Sequence, residues 1–151
     1  MKVSDIMTRE VIAVTPDTSV SEIAKLMVGK DISGVPVVVD GRVVGIITET
    51  DLVARNAYLH FPTFVQILDA RIYLQSPRHF EEELRRMLGT TAADVMTKEV
   101  KTVKPDADVA EVATLMFEKH VNPVPVVKNG KLVGIVSRAD VIRLLVQQET
   151  G

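Results

Sequence analysis

The fold is decided by the stretch Val-Pro-Val-Val-Val-Asp-Gly-Arg-Val-Val-Gly-Ile-Ile at Val35–Ile47. Asp-Gly between two β-branched runs is a strong signal for a two-residue hairpin turn. The same pattern returns at Val124–Val136, with Asn-Gly as the turn. Each copy therefore predicts an antiparallel hairpin. Because proline cannot donate to a strand ladder, Pro36 and Pro125 are expected at a strand start or an edge.

The hairpin belongs to a longer internal duplication. Asp5–Val53 align without a gap with Asp94–Ile142, 89 residues further along, and 23 of the 49 aligned residues are identical. A repeat of this length indicates two copies of one supersecondary unit. We expect the two units to pack about a pseudo-twofold axis, with a functional site in the loops that border the resulting clefts.

Each repeat predicts the order strand, helix, strand, strand, helix. A short alternating segment, Val11–Val14 in the first copy, opens the repeat and is broken by a Pro-Asp pair. Ser19 lies three residues before Glu22, and Asp108 three before Glu111, which predicts a capping box in both copies. The apolar residues behind these caps fall at helical spacing and are interpreted as core.

The segment between the repeats, Ala54–Thr91, has no counterpart in the duplicated pattern. It predicts an extension of the helix after Asp51 and further amphipathic helices, since its apolar residues recur at helical spacing. Two interpretations remain open: a helical clasp over the repeats, or a dimer contact. The predicted division is residues 1–53 for the first repeat, 54–91 for the helical insert and 92–151 for the second repeat.

Composition excludes several classes of protein. With 46% apolar and 25% charged residues the chain is typical of a globular protein, and its formal charge of −2 gives no reason to expect nucleic acid or a membrane as main partner. No apolar run approaches the roughly 20 residues that span a bilayer. The first repeat starts at once, so a cytoplasmic location is expected. Cysteine is absent, and the three histidines are too scattered to propose a metal site.

The motif with the most chemistry occurs at Gly45–Asp51 and Gly134–Asp140. Each copy has a glycine, two β-branched residues, a hydroxyl and a carboxylate three residues after the hydroxyl. One interpretation is a helix start, because a hydroxyl followed by an acid at this spacing is close to a capping box. The other is a binding site, because a carboxylate in a first helical turn can accept both hydroxyls of a ribose.

Three signatures in the same order in both copies resemble the cystathionine β-synthase (CBS) domain. They are Asp-x-Met-Thr, Val-Pro-Val before a hairpin, and the Gly-to-Asp motif, and they cover Val3–Val53 and Ala92–Leu145. Two such domains in tandem are similar to a Bateman module. The resemblance implies an α/β (α+β) fold of two β-α-β-β-α repeats packed sheet to sheet with pseudo-twofold symmetry. It also implies that AMP, ADP, ATP or S-adenosylmethionine binds in the clefts between repeats.

The resemblance further implies which residues contact such a ligand. Asp51 and Asp140 match the ribose-binding carboxylates. Thr48 and Ser137 match hydroxyls that contact sugar or phosphate, with Thr50 as a possible helper. The segments that match the backbone reading the adenine edge are Ile32, Ser33 and Gly34 in the first repeat and Val121, Asn122 and Pro123 in the second.

The two copies differ where binding would be decided. Glu49 in the first copy corresponds to Arg138 in the second, and Gly34 corresponds to Pro123. An arginine can pair with a phosphate, whereas a glutamate repels one. We therefore expect two unequal sites, with the Asp140 site favoured for a charged nucleotide. The nearby helix-end charges, Lys30, Lys119 and His120, are interpreted as solvated.

These observations predict a stand-alone regulatory protein that senses an adenine nucleotide, forms a homodimer and acts on an unknown protein target. Neither a required cofactor nor a metal is expected. No paired nucleophile and base, P-loop or metal spacing occurs in the sequence, so an enzyme is not expected either. The alternative is a non-catalytic dimerisation and assembly module whose clefts are vestigial.

Overall fold

A computed structural model of the chain describes residues 1–58 and 90–150. The first repeat contains, in chain order, α1 (Val3–Ile6), α2 (Val20–Gly29), β1 (Gly34–Val39), β2 (Arg42–Thr48) and α3 (Glu49–Tyr58). The second contains α4 (Ala92–Val95), α5 (Val109–Lys119), β3 (Val124–Lys128), β4 (Lys131–Val136) and α6 (Arg138–Thr150). The predicted extension of the helix after Asp51 is confirmed as far as Tyr58, and the rest of the predicted insert lies outside the described residues.

Both predicted hairpins are present and carry the predicted turns. In the first, Val39 pairs with Arg42, which leaves Asp40 and Gly41 as the turn with φ of 51° and 78°. Positive φ at both central residues is the requirement of a type I′ turn, and Asp-Gly meets it with little strain. In the second hairpin Asn129 and Gly130 adopt the same conformation, with φ of 53° and 78°.

The predicted first strand of each repeat is wrong in extent, because it forms only a single parallel bridge. In the first repeat Val14 N–H donates to Pro36 O at 3.0 Å and Val38 N–H donates to Val14 O at 2.8 Å. The next bond in a parallel ladder would need an N–H on Pro36 facing Ile12, and proline has none. Pro36 thus lies inside β1 and not at its start. Its nitrogen, which has no hydrogen to donate, faces the edge of β1 where the parallel pairing with Val14 stops.

The helix caps are partly as predicted. Ser19 Oγ accepts a hydrogen bond from Glu22 N–H at 3.2 Å, which is one of the two bonds of the predicted capping box; the return bond from Ser19 N–H to the Glu22 carboxylate is not formed. In the second repeat Asp108 Oδ1 accepts instead from Ala110 N–H at 2.9 Å, so this part of the prediction is wrong. The Asp108 carbonyl oxygen already accepts from Glu111 N–H at 3.0 Å, which leaves the carboxylate for the neighbouring donor.

The opening segment of each repeat, residues 1–8 in the first and 90–97 in the second, is here called its arm. Each arm packs against the other repeat. Thr8 and Ile135 exchange two backbone hydrogen bonds of 2.8 and 2.9 Å, and Thr97 and Ile46 exchange two of 2.9 and 3.0 Å. Each arm thus adds one strand residue, Thr8 or Thr97, to the hairpin of the other repeat. β2 and β4 also lie against each other. The two repeats are therefore held together by backbone hydrogen bonds as well as by side-chain packing.

The exchange extends into the hydrophobic cores. Val3 is fully buried and lies, with Met7, in the core of the second repeat, whereas Ala92 lies in the core of the first. The remaining fully buried residues are mainly β-branched residues of the hairpins. No helix in the described part of the chain is long and apolar enough to cross a membrane.

We expect Val3→Ala to destabilise the second repeat although the residue belongs to the first in sequence. Removing two buried methyl groups should cost about 2 kcal/mol of unfolding free energy. In native-state hydrogen exchange, amides of β3 and β4 should then exchange faster than those of β1 and β2, because the lost contacts lie in their core. The matched control is Val28→Ala, the same truncation at a residue that is 83% exposed. Equal acceleration in both hairpins would contradict the prediction.

Candidate functional site

The first copy of the Gly-to-Asp motif forms the start of α3. Asp51 Oδ2 accepts from Thr48 N–H at 2.9 Å and from Thr48 Oγ1–H at 3.1 Å, and Asp51 N–H donates back to Thr48 Oγ1 at 3.4 Å. The interpretation of the motif as a helix start is therefore confirmed. The other carboxylate oxygen, Oδ1, accepts from Thr97 Oγ1–H at 3.2 Å. Asp51 thus connects α3 to the arm of the second repeat.

The second copy repeats this geometry at α6 in a more buried setting. Asp140 Oδ2 accepts from Ser137 N–H at 2.9 Å and from Ser137 Oγ–H at 3.2 Å. Asp140 is only 5% exposed, whereas Asp51 is half-buried. Its Oδ1 forms an ion pair with Arg143 Nη1 at 3.2 Å. The two carboxylates therefore start equivalent helices but have different partners for the oxygen that is not used by the cap.

The two predicted adenine-reading segments meet each other. Asn122 Nδ2–H donates to Ser33 Oγ at 3.1 Å, and these residues occupy equivalent positions in the two repeats. Gly34 lies against Pro123, again an equivalent pair, because a Cβ on Gly34 would be 2.6 Å from Pro123 Cδ. The pseudo-twofold axis therefore passes between the two segments. Arg138 N–H donates to Asn122 Oδ1 at 2.9 Å, which ties the start of α6 to the axis.

A cleft of about 440 Å³, here called the Asp140 cleft, opens on one side of this axis. It combines residues of both repeats. The loop before β1 and the first residue of β1 contribute Ile32, Ser33 and Gly34, whereas the start of α6 contributes Ser137, Arg138 and Asp140. Val11, Ile12 and Ile135 supply apolar walls. The cleft is therefore composite: its loop comes from the first repeat and its hydroxyl–carboxylate motif from the second.

A smaller cleft of about 260 Å³, the Asp51 cleft, lies on the other side with the roles exchanged. Here the start of α3 provides the motif and the second repeat provides the loop. The predicted site residues that line it are Thr48, Thr50, Asp51, Val121, Asn122 and Pro123, together with Ser33 and Arg138, which also line the Asp140 cleft. Every predicted site residue thus borders one of the two clefts. Their contacts with a ligand, and the preference for the Asp140 cleft, stay predictions.

The clefts also contain charged residues that sequence reasoning missed or interpreted as solvated. Arg143 borders the Asp140 cleft, and Lys101 and His120 border the Asp51 cleft. A signal for Arg143 existed in the sequence, because it lies one helical turn after Asp140 while its equivalent in the first repeat is Ala54. Lys101 could not be found in this way, since the loop that brings it to the cleft is irregular.

With histidine counted as neutral, carboxylates outnumber cations in both clefts. The Asp140 cleft holds four acidic side chains (Glu10, Asp31, Glu49, Asp140) and two arginines (Arg138, Arg143). The acidic side chains of the Asp51 cleft are Glu49, Asp51 and Glu99, against Lys101 and Arg138. Among residues 1–58 and 90–150, no group of three or more His, Cys, Asp or Glu residues could hold a metal ion. The clefts are thus polar at their rims, and a strongly anionic ligand would meet repulsion.

Two hairpin-and-helix repeats with exchanged arms and a pair of composite clefts on the pseudo-axis define a tandem-repeat α/β module. The chain belongs to the CBS domain family, whose model matches residues 3–57 and 92–147. The family resemblance inferred from the three signatures is therefore confirmed. The exact division of the chain at residues 53 and 92 stays a prediction.

Several relatives match almost the whole chain. The uncharacterized protein MJ1426 of Methanocaldococcus jannaschii is 35% identical over 97% of this chain and 92% of its own length. Among other relatives from that organism, the chain spans only 33% of MJ1404 and 46% of MJ0188.

Two solved structures have the same fold. CBSX2, a CBS-pair protein of Arabidopsis thaliana, was solved in complex with AMP; it is 28% identical, with a TM-score of 0.73 and coverage of 98% of both chains. The CBS domain pair of MJ0100 was solved with 5′-methylthioadenosine and S-adenosyl-L-methionine; it is 27% identical, with a TM-score of 0.70 and coverage of 98% of both chains. The predicted fold class, two CBS repeats of mixed helix and strand, is confirmed.

Proposed function

We propose that the chain is a non-catalytic regulatory protein that binds an adenosine-containing ligand in the clefts between its repeats. The observation that carries the proposal is the composite architecture: each cleft pairs a hydroxyl–carboxylate motif of one repeat with the loop of the other. The ligands of the similar structures, AMP in one and 5′-methylthioadenosine with S-adenosylmethionine in the other, support it. A ligand held by both repeats would shift their relative packing, and a partner protein would respond to that shift.

The Asp140 cleft has the chemistry that an adenosine needs. Asp140 Oδ1 keeps a lone pair for one ribose hydroxyl beside its ion pair with Arg143. Oδ2 accepts from Ser137 N–H and Oγ–H, and it can accept a second ribose hydroxyl when the Ser137 hydroxyl turns its proton elsewhere. The apolar side chains of Val11, Ile12 and Ile135 suit a planar base. The loop at Ser33 borders the same cleft and would face the edge of the base. A base, a sugar and one compact polar group fill these three regions.

The charges in the clefts favour ligands with few phosphates. Because carboxylates outnumber cations around both clefts, a triphosphate would meet more repulsion than a monophosphate or an uncharged thioether. The proposed order of affinity is therefore AMP, 5′-methylthioadenosine or S-adenosylmethionine before ADP, and ADP before ATP.

The alternative, an assembly module with vestigial clefts, is favoured by one specific observation. Both Asp51 and Asp140 already have protein partners on both carboxylate oxygens. These bonds explain the hydroxyl–carboxylate motif as a helix start without any ligand. Ligand titration separates the two functions.

The test is thermal unfolding of the protein with AMP, ADP, ATP, NAD, S-adenosylmethionine and 5′-methylthioadenosine in turn, with GTP as the control. A ligand at 100 times its dissociation constant adds about 2.7 kcal/mol to the unfolding free energy. For a chain of this size that corresponds to a rise of several degrees in Tm. A rise confined to adenosine compounds supports the proposal, whereas the absence of a rise with all of them supports the assembly module.

The proposed homodimer uses the outer faces of the helices that follow the hairpins. Val53 on α3 and Ile142 on α6, at equivalent positions, are 68% and 58% exposed, and Leu145 on α6 is 58% exposed. Large apolar side chains this exposed on equivalent helices are typical of a protein–protein contact surface. A second chain that presents the same faces would cover them through a symmetric contact.

We expect Ile142→Glu to weaken the dimer, because the contact would then bury an unpaired carboxylate. Light scattering at micromolar concentration should give a dimer mass for the unmodified chain and a monomer mass for the variant. The control is Val39→Glu, the same change at a residue that is 42% exposed at the tip of the first hairpin. A dimer mass for Ile142→Glu, or a monomer mass for the unmodified chain, would contradict this assignment.

A further inference from the structure

The two clefts are not separate sites, because they meet at a common junction on the pseudo-axis. The residues that border both clefts are Ser33, Glu49, Asn122, Pro123 and Arg138. Arg138 is the only cation of this set, and Glu49, at the equivalent position of the first repeat, is the only anion. A ligand group that reaches the junction from either side therefore meets the same guanidinium.

The Arg138 guanidinium can turn toward either cleft. Its backbone is fixed, since its N–H donates to Asn122 Oδ1 at 2.9 Å and Asn122 Nδ2–H in turn donates to Ser33 Oγ at 3.1 Å. Its side chain, in contrast, is exposed. A long side chain on a fixed backbone can turn its guanidinium toward one cleft or the other by changing rotamers. Once the guanidinium turns into one cleft and pairs bidentately with an anion there, it has fewer N–H donors left for an anion in the other cleft.

The other cations around the two clefts do not replace Arg138 at the junction. Arg143 belongs to the Asp140 cleft, but it is paired with Asp140 Oδ1 at 3.2 Å. Lys101 borders the Asp51 cleft but not the Asp140 cleft. Each cleft also has its own carboxylates. Among the described lysines and arginines, Arg138 is therefore the one that both clefts share, and its guanidinium can pair bidentately with a phosphate at the junction.

We propose that Arg138 couples the two clefts, so that a phosphorylated ligand in one cleft weakens the binding of a second phosphorylated ligand in the other. The first phosphate pairs with the Arg138 guanidinium. A second phosphate, in the other cleft, then has fewer guanidinium donors to pair with and is repelled by the first phosphate across the junction. The inference rests on the proposed function and specifies its regulation. The coupling requires the phosphate, so adenosine, which has none, fills the two clefts independently.

The test is isothermal titration calorimetry of the unmodified protein, Arg138→Ala and Arg42→Ala, each with AMP and with adenosine. Arg42 is exposed on the first hairpin and borders neither cleft, so Arg42→Ala removes the same charge elsewhere. In the unmodified protein, the ratio of the weaker to the tighter Kd should be at least about tenfold larger for AMP than for adenosine. Arg138→Ala should reduce the AMP ratio to the adenosine ratio, and Arg42→Ala should leave it unchanged.

The possible outcomes separate a failure of the coupling from a failure of the proposed function. One AMP but two adenosine molecules bound per chain is the extreme form of the coupling and supports it. Equal ratios for AMP and adenosine in the unmodified protein overturn the coupling and leave the proposed function standing. An AMP ratio that survives Arg138→Ala overturns the role of Arg138. Failure of adenosine and AMP to bind at all overturns the proposed function, and the coupling with it.

Discussion

Replacing Gly34 by alanine should clearly lower the stability of the protein. An ideal Cβ at this position lies 2.6 Å from Pro123 Cδ and 3.0 Å from the backbone oxygen of Ile47. Neither neighbour can yield easily, because one is a buried ring and the other is part of the β1–β2 ladder. Overpacking of this kind costs roughly 1–3 kcal/mol. A thermal melt should show Tm reduced by about 3–10 °C.

The matched control for this substitution is Gly29→Ala. A Cβ on Gly29 has no heavy atom within 4 Å, and the residue lies in the last turn of α2. Alanine is the better helix former by up to about 1 kcal/mol, so Tm should stay constant or rise slightly. An equal fall in Tm for both variants would show that the pseudo-axis is not closely packed at Gly34 and Pro123. The packing described for the junction would then be incorrect.

Asp140→Asn should reduce the affinity for AMP and for adenosine by about ten- to a hundredfold, since a hydrogen bond to a charged group contributes roughly 1.5–3 kcal/mol. An amide has one acceptor oxygen where the carboxylate has two, so it cannot accept both ribose hydroxyls and the cap bonds together. The fold should survive, because the amide oxygen can still accept from Ser137 N–H. Calorimetry gives the affinity, and a thermal melt of the ligand-free variant shows whether the fold is intact.

The control for Asp140→Asn is Asp5→Asn, which changes a carboxylate with the same capping role outside both clefts. Asp5 Oδ2 accepts from Lys2 N–H at 2.8 Å at the start of α1. Its substitution should leave AMP and adenosine affinities unchanged. If Asp140→Asn also leaves them unchanged while the ligands bind, the carboxylate serves only to start α6. The ribose would then have to be held elsewhere in the cleft.

Those elements of the fold that depend on neighbouring residues could be predicted from the sequence. The Asp40-Gly41 turn follows from backbone preference, because few other residue pairs accept positive φ at both positions. The bond from Glu22 N–H to Ser19 Oγ follows from the residue types at that spacing. The extent of the first strand could not be predicted by the same means. It depends on which side of β1 the missing N–H of Pro36 faces, and that is set by tertiary pairing.

The candidate site shows the same division. The sequence identified Thr48, Asp51, Ser137 and Asp140 as a recurring motif and left two interpretations open. The helix start is confirmed by the hydrogen bonds, because a hydroxyl and an acid three residues apart meet within one turn. The ligand-binding interpretation remains a proposal, because it concerns a molecule and not the chain. Arg143 was missed because its importance depends on which way a helical side chain turns.

The sequence by itself thus determined the duplication, the two hairpins, the helices before and after each hairpin, and the family. All of these follow from local spacing and turn chemistry. Only the tertiary structure decided that each arm packs on the opposite repeat, with Val3 in the second core and Ala92 in the first. It alone also placed Ser33 against Asn122 and Arg138 at the border of both clefts. The physical reason is that equivalent residues in two similar units carry no sequence signal of which unit they will contact. These contacts are set by the burial and strand pairing that become possible only when the two repeats pack together.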